Sequence, residues 1–285
     1  MPIKPSVGKP GGQRSNIDKN IKNILEQMKE GGLKLPSAVI KELLQNADDS
    51  EATEVTVILD ERIPHENIAQ EYRILCGPAL LVRNNKPFQL KTDNPDDDKD
   101  DFEAICEVAS GIKSSQVTAA GRFGIGFNSV YFITDTPVIF SRRRVEIFDP
   151  LDQIFEEGWT FSLDDFPRSN NIQTNYVEDK EKKALKEILS WTLPKSAIGY
   201  AAFDEIAGRI DKNYGDYKQT LFRFPLRQTP KGDKTMGDRR FTSREERIDM
   251  LKEMSEQTAR SMVFLKYIKS VSFGIIDTGQ KHVEE

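Results

Sequence analysis

Apolar side chains recur at helical spacing near the start of the chain. In residues 17–28 they stand three or four positions apart, at Ile17, Ile21, Ile24, Leu25 and Met28. Residues at these spacings lie on one face of a helix. The pattern predicts an amphipathic helix that Asn16 caps and Gly31-Gly32 ends. Further helices are predicted over residues 36–49, 102–109, 127–132, 178–191 and 200–210.

Alternation of apolar and polar residues predicts strands. Val55, Val57 and Leu59 alternate with polar neighbours in residues 53–60, apart from Ile58, as half-buried strands do. Six more strands are predicted over residues 79–82, 136–141, 145–148, 159–161, 219–224 and 267–275.

Helices and strands follow one another without an internal repeat or a clear linker. The last helix begins after Ser243, which is expected to form a capping box with Glu246. This mixture predicts one α+β domain over residues 15–285. Residues 1–14 are rich in Pro, Gly and Lys and are expected to form a flexible arm.

Composition and charge narrow the functional classes. Of the 285 residues, 37% are hydrophobic and 31% are charged, which suits a polar globular protein. The net charge of −5 argues against direct nucleic-acid binding through phosphate contacts. Cys76 and Cys106 are too few for a disulfide framework, and His65 and His282 too few for a histidine metal site. With no signal peptide and no apolar run near 18 residues, a cytoplasmic protein without membrane contact is expected.

An acidic run occupies residues 93–101. It is expected to be a solvated loop whose carboxylates favour the N-terminus of the helix that follows. A metal-binding run is the alternative.

The polar residues of the helix over 36–49 form a line. Glu42, Asn46 and Asp49 stand at i, i+4 and i+7, within roughly 40° of one line along a helix. A carboxylate, a carboxamide and a second carboxylate aimed one way can hold a hydrated divalent cation and activate a water. Taken alone, the same residues fit an ordinary solvated face better. Neighbouring apolar residues lie off the line and can face a core: Leu43, Leu44 and Ala47.

A glycine-rich segment follows later in the chain. Gly121, Gly124 and Gly126 stand in the run Gly-Arg-Phe-Gly-Ile-Gly-Phe-Asn-Ser-Val-Tyr. Glycines at this spacing let the backbone approach a ligand and point successive N–H groups into one concavity. The helix predicted after them favours an anion at its N-terminus. The run matches neither the Walker pattern nor the dinucleotide fingerprint, and a turn without a ligand is the alternative.

Together these motifs resemble the nucleotide site of the GHKL ATPases, which include DNA gyrase, the large heat-shock chaperones, histidine kinases and MutL-type proteins. Glu-Leu-Leu-Gln-Asn-Ala-Asp-Asp, Gly-Pro-Ala-Leu with Asn-Asn after it, the glycine-rich run and Phe-Asp-Pro are more closely similar to sacsin-type N-terminal repeats. The resemblance spans roughly residues 13–227 and is weaker up to residue 275. It implies a Bergerat fold, a two-layer α+β sandwich in which helices pack on a mixed, mostly antiparallel sheet.

The resemblance implies roles for the residues of the polar face. Glu42 matches the general base that activates water for attack on ATP, and Asn46 matches the side-chain ligand of Mg²⁺. Asp49 matches a position that supports the metal's water shell or the neighbouring turn. The chemistry is sensible in itself, because phosphoryl transfer depends mainly on positioning and charge neutralisation.

Other roles are implied by matching positions elsewhere in the chain. Residues 110–120 match the lid that closes over ATP, with Lys113 placed to reach a phosphate. Thr220 matches the threonine of the adenine water network. The phosphate-binding loop would comprise Gly121, Arg122, Phe123, Gly124, Ile125, Gly126 and Phe127.

The sequence departs from the superfamily at the loop that holds adenine. The usual motif is Asp-x-Gly, whereas the aligned residues here are Asn84 and Lys86. An Asn oxygen can accept a hydrogen bond from the adenine amine but lacks the charge of a carboxylate. We therefore expect weaker adenine binding, by roughly 1 kcal/mol, and a different backbone course at Lys86.

The resemblance implies a chaperone-type conformational switch that binds ATP or ADP with Mg²⁺ and hydrolyses ATP slowly. Slow turnover is expected because relatives take a further cationic residue from another domain. Client or co-chaperone proteins and an ATP-dependent second copy are the implied partners. The alternatives are a non-hydrolysing ligand-binding or protein-interaction module with a degenerate nucleotide site, and the ATPase module of a nucleic-acid-remodelling or defence protein.

Overall fold

The computed structural model describes residues 17–31, 36–63, 74–90, 93, 100–109, 125–142, 144–151, 153, 160–163, 217–228 and 234–277. The predicted arm over 1–14, most of the acidic run and the helices predicted over 178–191 and 200–210 lie outside these residues. The α-helices are α1 (Ile17–Glu30), α2 (Ser37–Asp49), α3 (Asp101–Ala109) and α4 (Arg244–Ser261). The strands are β1 (Glu54–Asp60), β2 (Ala79–Asn84), β3 (Val138–Arg142), β4 (Arg144–Phe148), β5 (Thr160–Leu163), β6 (Tyr217–Pro225) and β7 (Ser270–Ile276).

The strands form one seven-stranded sheet in the order β5-β4-β3-β6-β2-β1-β7. β1 and β7 are parallel, and every other neighbouring pair is antiparallel. The prediction of helices on a mixed, mostly antiparallel sheet is confirmed. Because β6 lies between β3 and β2, residues far apart in sequence become neighbours at the centre of the sheet.

The helices form a layer that shares one hydrophobic core with the sheet. Leu43, Leu44 and Ala47 of α2 are buried in this core, as predicted, together with Val57 of β1 and Val82 of β2. α2 packs against a 3₁₀ helix, Ile125–Phe132, and against α4. α2 and the segment after Gly126 are therefore held side by side.

A buried ion pair holds the centre of the sheet. Arg223 of β6 and Asp60 of β1 are both almost fully buried, and Arg223 Nη1 lies 2.7 Å from Asp60 Oδ2. Arg223 also donates to the Gly77 carbonyl at 2.8 Å, and Arg62 donates to Asp60 at 2.8 Å. Since each charge has partners, the pair links β6 to β1 across β2 without leaving an uncompensated buried ion.

Two predicted elements differ in extent from those observed. The helix predicted over residues 127–132 begins at Ile125 and is a 3₁₀ helix, most of whose side chains are buried. The last strand begins at Ser270 rather than at residue 267. α4 is followed by a separate 3₁₀ turn, Met262–Phe264. The predicted capping box of Ser243 and Glu246 is present.

The two cysteines, Cys76 and Cys106, are both free thiols and both buried. Among the described helices, none has the length and apolar character needed to cross a membrane.

Candidate functional site

The Glu42 carboxylate lies directly against the backbone of Gly126. A methyl carbon added to Gly126 would lie 1.8 Å from Glu42 Oε2 and 2.3 Å from Glu42 Cδ. Both distances are far below van der Waals contact, so only glycine permits this approach. The contact joins the polar face of α2 to the third glycine of the glycine-rich run.

Partial burial changes the acidity of Glu42. Desolvation raises the pKa of its carboxyl, the nearby Lys41 ammonium lowers it, and the Asp49 carboxylate raises it. The net direction is upward from the ordinary glutamate value, because removal from water disfavours the charged form. Glu42 therefore holds a proton more readily than an exposed glutamate does.

Asn46 and Asp49 continue the line that Glu42 begins, as the spacing predicts for a helix. The Asn46 side chain is half-buried, and it makes no hydrogen bond to any residue in the described ranges. Its backbone carbonyl accepts from the Ser50 amide at 3.1 Å and the Ser50 hydroxyl at 2.8 Å, which closes the end of α2. Asp49 is exposed at the last position of the helix. The carboxamide of Asn46 is thus available to a ligand.

Asp48 has a structural role that the sequence analysis did not assign. Its carboxylate is buried and accepts from three consecutive backbone N–H groups, those of Lys266 at 2.9 Å, Tyr267 at 2.6 Å and Ile268 at 3.0 Å. Desolvation raises the pKa of Asp48, but the three N–H groups outweigh it and the pKa lies below its ordinary value. The only sequence signal is that Asp48 falls four residues after buried Leu44, on the core side of α2.

Asn84 and Thr220 are brought together at one end of the sheet. They are paired across β2 and β6 and are both buried. Asn84 Oδ1 accepts from the backbone N–H of Lys86 at 3.0 Å. Thr220 Oγ1 donates to the backbone carbonyl of Lys86 at 2.9 Å. Both side chains therefore hold the turn after β2.

Ser141 joins this pair and was missed by the sequence analysis. Its hydroxyl lies 2.9 Å from Thr220 Oγ1, accepts from the Phe88 N–H at 2.8 Å and donates to the Gln219 carbonyl at 2.9 Å. No sequence signal separates it from an ordinary strand serine, because its role depends on β3 lying beside β6. The segment from Asn84 to Phe88 is consequently tied to both strands.

An aromatic cluster connects the two groups of site residues. The Phe222 ring of β6 lies 6.2 Å from the ring of Phe127, which follows Gly126, and 6.2 Å from that of Phe88. These contacts run from the Glu42–Gly126 pair to the turn held by Thr220. The predicted site residues Lys113, Gly121, Arg122, Phe123, Gly124 and the side chain of Ile125 lie outside the described residues.

Comparison with known proteins shows a resemblance to one protein family and to a human protein. A family model described as the Sacsin domain matches residues 14–285. Human sacsin is 30% identical to this chain over 259 residues, which is 88% of the chain and 5% of sacsin. The chain thus spans about one twentieth of the length of this relative.

Proposed function

The chain belongs to the Sacsin domain family, and we propose that it is an ATP- and Mg²⁺-binding conformational switch of chaperone type with a GHKL, Bergerat-type nucleotide site. The observation that carries this proposal is the contact between Glu42 and Gly126. It unites a polar helix face and a glycine-rich run that are distant in sequence. Each was ambiguous alone, and their direct contact favours a common ligand.

The residues on α2 suit the chemistry of phosphoryl transfer to water. Glu42, whose pKa is raised by burial, would accept a proton from the attacking water as the general base. Asn46 would offer its carboxamide oxygen to Mg²⁺, a hard cation that prefers oxygen ligands and keeps most of its water. Mg²⁺, when bound, neutralises phosphate charge. The half-buried Asn46 side chain, uncommitted within the described ranges, fits that role.

The glycine-rich run would hold the phosphates. At Gly126 the absence of a side chain lets the backbone lie against the Glu42 carboxylate, so Glu42 would stand at the end of a loop of the kind that binds phosphate. In the proposed site the remaining loop residues would be Gly121 and Gly124, and residues 110–120 would close over the ligand with Lys113 near a phosphate.

Measurements of nucleotide binding and of phosphate release from ATP test the proposal together. We expect Mg²⁺-dependent binding of a non-hydrolysable ATP analogue by calorimetry, and slow or undetectable phosphate release from ATP by the 285-residue chain. Glu42→Gln should abolish any release while retaining binding, because it removes the base and keeps the shape. Release that persists unchanged in Glu42→Gln would contradict the role of Glu42.

A second candidate is a non-hydrolysing ligand-binding or protein-interaction module. It is favoured by one observation: Asn84 Oδ1 and the Thr220 hydroxyl are both engaged with Lys86. Groups assigned to adenine are thus already used within the protein. An ATP analogue that produces no heat at millimolar concentration would favour this candidate over the first.

A further inference from the structure

Strand β7 forms one edge of the sheet. It is the last strand in the sheet order, and among the described strands its one neighbour is β1. Its residues, Ser270–Ile276, pair with β1 in an unbroken register and include no charged residue and no proline. β5, at the opposite edge, has four residues. A long, regular and uncharged edge is a template for another strand, and proteins usually interrupt such edges with charge, proline or a bulge.

The pairing with β1 decides which backbone groups of β7 face outward. The Ser270 N–H donates to the Thr53 carbonyl at 3.3 Å, and the Ile276 carbonyl accepts from the Glu61 N–H at 2.8 Å. In a parallel pair, alternate residues direct both of their backbone groups to the same neighbour. The even-numbered residues of β7 therefore bond to β1. The odd-numbered residues direct their N–H and C=O groups to the open edge, and these are Val271, Phe273 and Ile275.

The same three residues form an apolar row, because side chains at i and i+2 share one face of a strand. Val271 and Phe273 pack partly against the hydrophobic core, whereas Ile275 is 40% exposed. Four large apolar side chains are exposed among the described residues. Three of them belong to β7 or to the 3₁₀ turn that precedes it: Val263, Phe264 and Ile275. Such a concentration of apolar exposure marks an interaction surface.

A second, antiparallel copy of β7 complements this edge when Phe273 lies opposite Phe273 of that copy. Val271 then lies opposite Ile275, so apolar side chains meet apolar side chains along the row. The three residues whose backbone groups face outward become the hydrogen-bonded pairs of an antiparallel ladder.

Charges at the two ends of β7 select the same register. Lys269 precedes the strand and Asp277 follows it, so pairing about Phe273 sets each lysine opposite an aspartate of the other copy. A shift of two residues in one direction sets Lys269 opposite Ile275, and in the other direction it sets Asp277 opposite Val271. Either shift places a charge against an apolar side chain, so the edge is complementary to itself in one register.

We infer that β7 is the surface at which a second copy of this chain pairs, edge to edge and antiparallel, about a twofold axis at Phe273. The opposed charges and the matched apolar row identify the second copy as the occupant. Each copy presents this edge once, so the contact closes on itself and the product is a dimer. No nucleotide takes part, and the pairing is therefore independent of the proposed ATP site.

Sedimentation equilibrium of the 285-residue chain without nucleotide tests the pairing. We expect a reversible monomer–dimer equilibrium at concentrations below about 1 mM, unchanged by an ATP analogue with Mg²⁺. Ile275→Lys should raise the dissociation constant by at least about tenfold, because it sets a charge against Val271 of the second copy. Ile275 is exposed in the single chain, so this variant should fold. Gln27→Lys is the matched control, since it adds the same charge on the exposed side of α1, and it should associate as the wild type does.

Cysteine cross-linking tests the register. Opposite residues of a hydrogen-bonded antiparallel pair have Cα atoms roughly 5.5 Å apart, which a disulfide can span. Phe273→Cys places a thiol opposite its own copy and should give a covalent dimer on mild oxidation. Ile275→Cys is the control: position 275 is more exposed than position 273, but its two copies would lie roughly 14 Å apart along the ladder. The native thiols are buried.

Each outcome bears on one part of the inference. A chain that stays monomeric up to about 1 mM, or that associates only when nucleotide is present, would overturn pairing at β7. Assemblies larger than a dimer would overturn the twofold axis. Covalent dimers formed equally by Phe273→Cys and Ile275→Cys would overturn the register about Phe273.

Discussion

The Glu42 carboxylate fills the space that any side chain at Gly126 would need, with Oε2 1.8 Å from the position of an added methyl carbon. The contact depends on two elements at once, because α2 must present Glu42 and the 3₁₀ helix must begin beside it. A residue that looks like a flexible loop glycine is therefore a close-packing position.

Gly126→Ala is expected to displace the Glu42 carboxylate. Because the displaced atoms are the free end of a flexible side chain, the fold should lose no more than about 1 kcal/mol. Chemical denaturation measures this change. Gly274→Ala in β7 is the matched control, since its added carbon would lie an ordinary 3.9 Å from Ile58. A loss well above that of Gly274→Ala would mean that the Glu42 side chain cannot move aside.

Glu42→Gln is expected to stabilise the protein at pH 7. Burial raises the pKa of Glu42 in the folded state above the value of 4.5 that holds in the unfolded chain. The folded state then binds more protons between the two pKa values, so stability falls as pH rises through that window. Glutamine is neutral and escapes this penalty. The stabilisation should be present at pH 7 and vanish below pH 4.5, as measured by denaturation at both pH values; an advantage that grows on acidification would contradict it.

Asp48→Asn is expected to destabilise the fold by about 1–3 kcal/mol, because the carboxylate holds three backbone N–H groups. The folded-state pKa of Asp48 lies below 3.8, so its contribution is present above the unfolded value and is lost as pH falls through the folded value. Asp49→Asn, at an exposed neighbour, should change stability by no more than about 0.5 kcal/mol. Thermal unfolding compares the two, and similar losses would argue against the anchoring role of Asp48.

Arg223→Met is expected to destabilise the protein by about 3 kcal/mol, because it leaves Asp60 buried with Arg62 as its remaining ion-pair partner among the described residues. Arg260→Met is the control, since Arg260 is exposed and 3.8 Å from Glu256, and it should change stability by no more than about 0.5 kcal/mol. Urea denaturation of both variants compares their losses of unfolding free energy. A loss at Arg223 as small as that at Arg260 would mean that the buried pair is not needed.

Local patterns were sufficient to locate most of the described strands and helices. Alternation marked β1, and the capping box marked the start of α4, because these signals come from residues close in sequence. The first residues of the predicted last strand were wrong because Asp48 holds Lys266–Ile268 from a distant helix. No pattern among residues close in sequence reveals that contact.

The sequence suggests which residues belong to the candidate site, but it does not reveal which of them touch. Helical spacing alone predicts that Glu42 and Asn46 lie along one face of α2. The contact with Gly126 and the hydroxyl network of Ser141 and Thr220 depend on which elements become neighbours. Since β6 lies between β3 and β2, a chain-order argument could not place Ser141 beside Thr220.

The most direct test of the proposed site is calorimetric titration of the wild-type chain and Asn46→Ala with a non-hydrolysable ATP analogue, with and without Mg²⁺. We predict that wild-type binding requires Mg²⁺ and that Asn46→Ala weakens it about tenfold, the loss of roughly one charge-assisted contact. Gln45→Ala, one position away on the exposed side of α2, should bind as the wild type does. Absence of binding by the wild type at millimolar analogue, or equal Mg²⁺-dependent affinity in Asn46→Ala, would contradict a Mg²⁺–nucleotide site on this helix.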